Sequence, residues 1–250
     1  MGKRAISLAW IPNAVTSGNL LLGFYSIFVS VRALHEGRTP GAPEFAVACW
    51  LILWACIGDV LDGKLAKLLH ASSEFGMYLD TFADAVTFGM APAILLYAAF
   101  LRDPGRSLGV ALAPLLYFLC ACFRLARYNV QTTGVPRFGF VGVPTPAGAM
   151  ICTSLYLGFA DAGLSPGFIA ALTALVALSM VSPLRYPAFK GLRRVEAVAV
   201  LALLCGMMAS TILFGAPKTV FYVFSSFALV WGWLWIPLRP WWVPGVTAQD

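Results

Sequence analysis

Apolar residues run almost unbroken through long stretches of the chain, and polar residues gather in short gaps between them. The runs extend over Ile11 to Val31, Phe45 to Leu69, Tyr78 to Phe100, Leu108 to Ala126, Thr145 to Ala160, Gly167 to Val181, Val195 to Phe214 and Thr219 to Ile236. A helix rises about 1.5 Å per residue, so roughly 20 apolar residues cross the ~30 Å hydrocarbon core of a bilayer. The pattern predicts an all-α polytopic membrane protein with about eight transmembrane helices. The Thr145 to Ala160 run is short and begins between Pro144 and Pro146, which makes it the least regular of the set.

Composition agrees with that pattern. The chain is 60% hydrophobic and 11% charged, against about 25% charged in soluble domains. The formal charge of +6 raises the question of nucleic acid, but the basic residues are scattered at the ends of apolar runs and form no patch. They mark topology instead. Lys3, Arg4, Lys64, Lys67, Arg124, Arg127, Arg137, Arg185, Lys190, Arg193, Arg194 and Arg239 fall on one side of the membrane, and Arg32, Arg38, Arg102, Arg106 and Lys218 on the other. The richer side is cytoplasmic by the positive-inside rule, and it holds both termini. The first span lacks a small-residue cleavage site and reads as a retained helix, and Ile6 stands where myristoylation wants Ser or Thr.

Cys49, Cys56, Cys120, Cys122, Cys152 and Cys205 lie inside apolar runs and behave as small hydrophobes, with no disulfide framework. Cys120-x-Cys122 lacks metal-site spacing and has no histidine near it, which argues against zinc. Trp231, Trp233, Trp235, Trp241 and Trp242 read as an interfacial aromatic belt.

Against this background four carboxylates stand out. Asp59 and Asp62 end one apolar run, and Asp80 and Asp84 begin the next. A central Asp costs roughly 2.5–3.5 kcal/mol in a membrane helix, so four require compensation. Residues three or four apart share a helix face. A chain reversal around His70 to Ser73 therefore sets Asp62 opposite Asp80 and Asp59 opposite Asp84, about 5–15 Å below the cytoplasmic surface. Four ionised carboxylates at one depth need cations between them, and clustered hard oxygens suit Mg²⁺ or Mn²⁺, in a two-metal arrangement. Pairing with Lys64, Lys67 and nearby arginines is the bland alternative, but the two positive charges within a turn cannot neutralise four negatives.

Asp59-x-x-Asp62-Gly63-x-x-Ala66-Lys67 followed by Gly76-x-x-x-Asp80-x-x-x-Asp84 resembles the signature of the CDP-alcohol phosphotransferases, integral membrane enzymes of phospholipid synthesis. Lys67 stands where that family has Arg, keeping the charge and losing the planar fork. Arg124-Leu125-Ala126-Arg127-Tyr128-Asn129, Phe140 to Pro146 and Ser182 to Lys190 are similar to segments of the serine-specific branch, the phosphatidylserine synthases. Thr16 and Asn19, in the opening Pro12 to Asn19, either bond a nucleotide or pack against the aspartate helix.

The resemblance implies a single integral domain over residues 1–250, with a six-helix catalytic core in 1–182, two added C-terminal helices in 183–250, and a homodimer in a bacterial cytoplasmic membrane. It implies transfer of the phosphatidyl group of CDP-diacylglycerol to L-serine with release of CMP. Asp59, Asp62, Asp80 and Asp84 are then metal ligands, with Asp84 also the base for the serine hydroxyl. Gly63, Ala66, Lys67, Gly76, Thr16 and Asn19 serve the nucleotide and its phosphates, and Arg124, Arg127 and Lys190 the acceptor. Another acceptor (glycerol phosphate, inositol phosphate or choline) is the alternative within the same chemistry, and a divalent cation transporter is the alternative outside it.

Overall fold

The computed structural model describes residues 3–69, 73–101, 108–132, 140–160, 164–183 and 185–186. Six helical rods account for nearly all of them: α1 Lys3–His35, α2 Pro43–Leu68, α3 Glu74–Leu101, α4 Leu108–Thr132, α5 Thr145–Phe159 and α6 Pro166–Val181. Phe140–Val141 (β1) and Arg185–Tyr186 (β2) form a minimal antiparallel pair, with Phe140 opposite Tyr186. Trp10–His35, Pro43–Gly63, Glu74–Leu101 and Val110–Val130 are long and apolar enough to cross a membrane, and α6 is a shorter apolar helix. Each apolar run up to Val181 has thus become a helix. The expected spans Val195 to Phe214 and Thr219 to Ile236 lie outside the described residues, so the count of eight rests on sequence.

The helix starts follow local chemistry. Ser73 caps α3, its hydroxyl accepting the Gly76 N–H at 3.0 Å, and Ser165 caps α6 by accepting from Phe168 N at 3.3 Å. Pro146 and Pro166 sit in the first turns of α5 and α6, where the missing N–H has no intrahelical partner anyway. The irregular Thr145 to Ala160 run therefore forms a helix because its prolines occupy the tolerated positions.

Lipid supplies no hydrophobic drive between helices, so close contact and polar crosslinks hold them. Along the α1–α2 seam, Ser26 Oγ donates to Ala48 O at 2.9 Å, and the small residues Ala48 and Ala55 are fully buried. Tyr156 of α5 reaches the α1–α2 loop, donating to Ala42 O at 3.1 Å while its ring tilts against Phe45 and Phe100. Large side chains such as Leu21, Phe24, Phe28, Phe82 and Phe123 stay exposed on outer faces, as lipid-facing residues do.

The C-terminal end of α6 is closed by another helix. Arg127 of α4 donates from Nη1 to Val181 O at 3.0 Å and from Nη2 to Met180 O at 3.1 Å, satisfying carbonyls that have no partner within α6. Gly142 passes close by at φ 79°, where a Cβ would overlap Met180 O, so both the backbone conformation and the space demand glycine.

Candidate active site

Asp59 and Asp62 lie in the last turns of α2, Asp62 about 9 Å before its end at Leu68. Asp80 and Asp84 lie in the first turns of α3, Asp80 about 9 Å past Glu74. Carboxylate oxygens of Asp59, Asp62 and Asp80 all come within 4.8 Å of one another. Asp84, one turn further along α3, is half-buried and close enough to Asp59, Asp80 and Asp62 to feel their charges. Asp59, Asp62 and Asp80 converge and Asp84 flanks them, with α1 packed against both α2 and α3.

Asp62 is the most enclosed of the four, at 4% exposed. Thr16 Oγ1 donates to its Oδ2 at 3.0 Å and Asn19 Nδ2 donates to the same oxygen at 3.1 Å, and both donors are buried. Of the two roles considered for the polar opening of α1, contact with the aspartate helix is the one these bonds make. Both donors fall on one oxygen of the carboxylate, Oδ2. Gly58 makes room for this, since a Cβ there would overlap the Asn19 amide.

The donor set fits a divalent cation. The oxygens are hard carboxylates, they come from two helices, and among the described residues no ion pair reaches them. The described ion pairs, Arg32 and Arg38 with Glu36 and Arg38 with Glu44, lie at the other end of α1, where Arg32 is about 24 Å along the helix from Thr16. Two unit charges 4.8 Å apart, the spacing within the cluster, repel by roughly 3–4 kcal/mol at an effective dielectric of 20. Uncompensated, the cluster is a large local strain.

The glycines and cations expected at the site separate into distinct surroundings. Gly63 is exposed, and a Cβ there would meet nothing within 4 Å, so packing does not require it. Gly76 has a packing reason: a Cβ would come within 2.9 Å of Asn13 Oδ1 and 3.1 Å of Ser73 Oγ. Ala66 and Lys67 continue the α2 backbone one turn beyond Asp62. Arg124 is 7% exposed, donates from Nη1 to Thr145 Oγ1 at 2.9 Å, lies 5.8 Å from the Tyr128 ring centroid, and feels the charges of Asp84 and Asp59. Arg127 instead points to the end of α6, as described above. Lys190 lies outside the described residues.

The sequence profile of the family described as CDP-alcohol phosphatidyltransferase matches residues 9–183. The chain belongs to that family. The match covers α1 from residue 9 onward, the other five described helices and the whole carboxylate site. The family generally works with divalent metals, and the Asp cluster is a site able to hold one.

Similar proteins extend the match further. The CDP-diacylglycerol–serine O-phosphatidyltransferase of Helicobacter pylori (strain ATCC 700392 / 26695) is 30% identical over 236 residues, 91% of this chain and 92% of that one. The enzyme of the same name from Bacillus subtilis (strain 168) is 31% identical over 72% of this chain and 92% of its own. An archaetidylserine synthase from Methanothermobacter thermautotrophicus is 32% identical over 76% of this chain and 75% of its own.

Two contacts at the site had no signal in the sequence. Asn129 Nδ2 donates to Thr81 Oγ1 at 2.9 Å, tying α4 to the aspartate turn of α3. Thr145 holds Arg124 from the start of α5. Both need the helix rotations to be known, which no spacing rule supplies.

Proposed function

We propose that this chain transfers the phosphatidyl group of CDP-diacylglycerol to the hydroxyl of L-serine, giving phosphatidylserine and CMP in phospholipid synthesis. The observation that carries the reading is the convergence of Asp59, Asp62 and Asp80 from two membrane helices. The serine branch is supported by relatives of that activity matched over nearly the whole chain.

Asp59, Asp62, Asp80 and Asp84 would hold Mg²⁺ or Mn²⁺, as two ions, and the bound metal would supply positive charge for the pyrophosphate and the leaving CMP. The serine oxygen forms a bond to the phosphorus that carries diacylglycerol, the bond from that phosphorus to the CMP oxygen breaks, and CMP leaves with the electron pair. Asp84 takes the hydroxyl proton. Gly63 offers backbone with no Cβ in the way of a phosphate, and Gly76, Ala66 and Lys67 complete the nucleotide side. Thr16 and Asn19 serve that side by fixing Asp62.

The reaction takes place at the cytoplasmic face of a bacterial inner membrane, with both termini on that side and the chain paired as a homodimer. The positive-inside reading supports the orientation. It puts the carboxylates within reach of water-soluble serine.

The test is CMP release from detergent-purified protein given CDP-diacylglycerol, Mn²⁺ or Mg²⁺, and one alcohol at a time. Release with serine, and not with glycerol phosphate, inositol phosphate or choline, is the expected result. Release with another acceptor alone moves the chain to another branch of the family. Metal flux in proteoliposomes without CMP release replaces the enzyme reading with a transporter.

Two substitutions probe the substrate sides separately. Serine, unlike ethanolamine, carries a carboxylate, and Arg124 is the described cation best placed beside the cluster to bind it by charge-assisted hydrogen bonds. Arg124→Gln is expected to raise the serine KM by roughly 10–100-fold and to relax discrimination against ethanolamine. Unchanged selectivity rules Arg124 out as the clamp and turns attention to Arg127 and Lys190. Lys67→Ala is expected to raise the KM for CDP-diacylglycerol by about 10-fold or more and leave the serine dependence alone, with Lys67→Arg tolerated. The reverse pattern in steady-state kinetics assigns Lys67 to the acceptor.

A further inference from the structure

The turn of α3 that follows Asp84 is wound wide. Ala85–Met90 is π-helical, with i→i+5 hydrogen bonding in place of i→i+4. A wide turn inserts one residue, rotates everything beyond it, and persists only where tertiary contacts hold it. Two such contacts are present. Tyr117 of α4, fully buried, donates its hydroxyl to Phe88 O at 2.9 Å. Thr87, also fully buried, donates Oγ1 to Asn19 O of α1 at 3.1 Å.

The second contact leads back to the carboxylates. Asn19 is the residue whose side chain donates to Asp62 Oδ2. A continuous line of hydrogen bonds therefore runs from α3 through α1 to α2: Thr87 to Asn19, Asn19 to Asp62. Glycines let the helices approach at both steps, since a Cβ on Gly23 would overlap Thr87 and one on Gly58 would overlap the Asn19 amide. Packing alone would not place a hydroxyl against a backbone carbonyl here, because a buried apolar side chain of the same shape fills the space equally well.

We propose that Thr87 is a positioning residue for the carboxylate cluster: its hydroxyl ties the wide turn of α3 to the Asn19 turn of α1 and so keeps Asp62 of α2 in register with Asp80 of α3. Neither α2 nor α3 needs to lie along the other for this to work, since α1 carries the connection between them. The inference rests on the metal reading of the cluster given above. Thr87 stands one hydrogen bond behind the residues that touch Asp62. Groups that orient a metal ligand directly are typically worth 10–100-fold in affinity, and the effect here belongs near or below the lower end of that range.

The experiment is a titration of detergent-purified full-length protein with Mn²⁺ alone, followed by electron paramagnetic resonance, without substrate. Thr87→Val keeps the shape and removes the hydroxyl, and it is expected to weaken Mn²⁺ binding by about 5–10-fold. Thr87→Ser keeps the hydroxyl and is expected to bind within about 2-fold of the native chain. Where Thr87→Val does not fold, Thr87→Cys replaces it, since the thiol is a weaker donor of similar size. Native affinity in the variant lacking the hydroxyl, or a Thr87→Ser variant that loses as much as it does, overturns the inference and leaves the metal reading standing. A native chain with no affinity for Mn²⁺ overturns both.

Discussion

Asp84→Asn is expected to turn over roughly 10²–10⁴ times more slowly than the native chain while still binding CDP-diacylglycerol with near-native affinity. Serine's hydroxyl is a weak nucleophile until it loses its proton, and a carboxylate is an effective base only when it is shielded from water and close to the reacting oxygen. Asp84 lies one turn further along α3 than Asp80, is half-buried, and stands outside the trio whose oxygens crowd within 4.8 Å. It is therefore less committed to that trio than Asp80. The amide of Asn keeps the shape and cannot take the proton. Single-turnover measurement of CMP release, set beside equilibrium binding of CDP-diacylglycerol, separates chemistry from binding. If binding falls in step with turnover and excess Mn²⁺ restores both, Asp84 acts as a ligand only, and proton removal passes to serine's own amine or to water.

The helices up to Val181 were legible because a bilayer leaves few alternatives to a helix for a long apolar run. Their ends were less so. The apolar run that predicts α4 stops at Ala126, yet the helix continues to Thr132, because polar side chains beyond the run find partners: Arg127 the carbonyls of α6, and Asn129 the hydroxyl of Thr81. The wide turn Ala85–Met90 has no signature in composition, since the contacts that hold it come from α1 and α4. The carboxylates announced themselves for the opposite reason. An acid inside an apolar run carries a cost that local sequence does not repay, so its presence alone points to a site. How closely they meet was not legible, because spacing about a turn gives the depth of each carboxylate and not the distances set by α1, which is packed against both α2 and α3.

Asp62→Asn is expected to lose more Mn²⁺ affinity than Asp59→Asn, about 100-fold against about 10-fold, although both substitutions remove one negative charge from the same cluster. The difference lies in what holds each side chain. Asp62 Oδ2 accepts from Thr16 Oγ1 at 3.0 Å and from Asn19 Nδ2 at 3.1 Å. An Asn at this position must answer the Asn19 amide N–H with its own oxygen, because a donor facing a donor leaves both unsatisfied in a site that is almost fully buried. That choice turns the new NH₂ toward the cluster, where an oxygen ligand is needed. Asp59 has no such pair of described donors fixing one of its oxygens, so an Asn there is able to turn its carbonyl oxygen inward and keep a neutral ligand in place. Mn²⁺ titration of both variants, without substrate, reads the difference directly. Equal losses would show that charge alone matters and that the Thr16 and Asn19 bonds do not set the orientation of Asp62, whereas native affinity in both variants would remove these carboxylates from the metal site altogether.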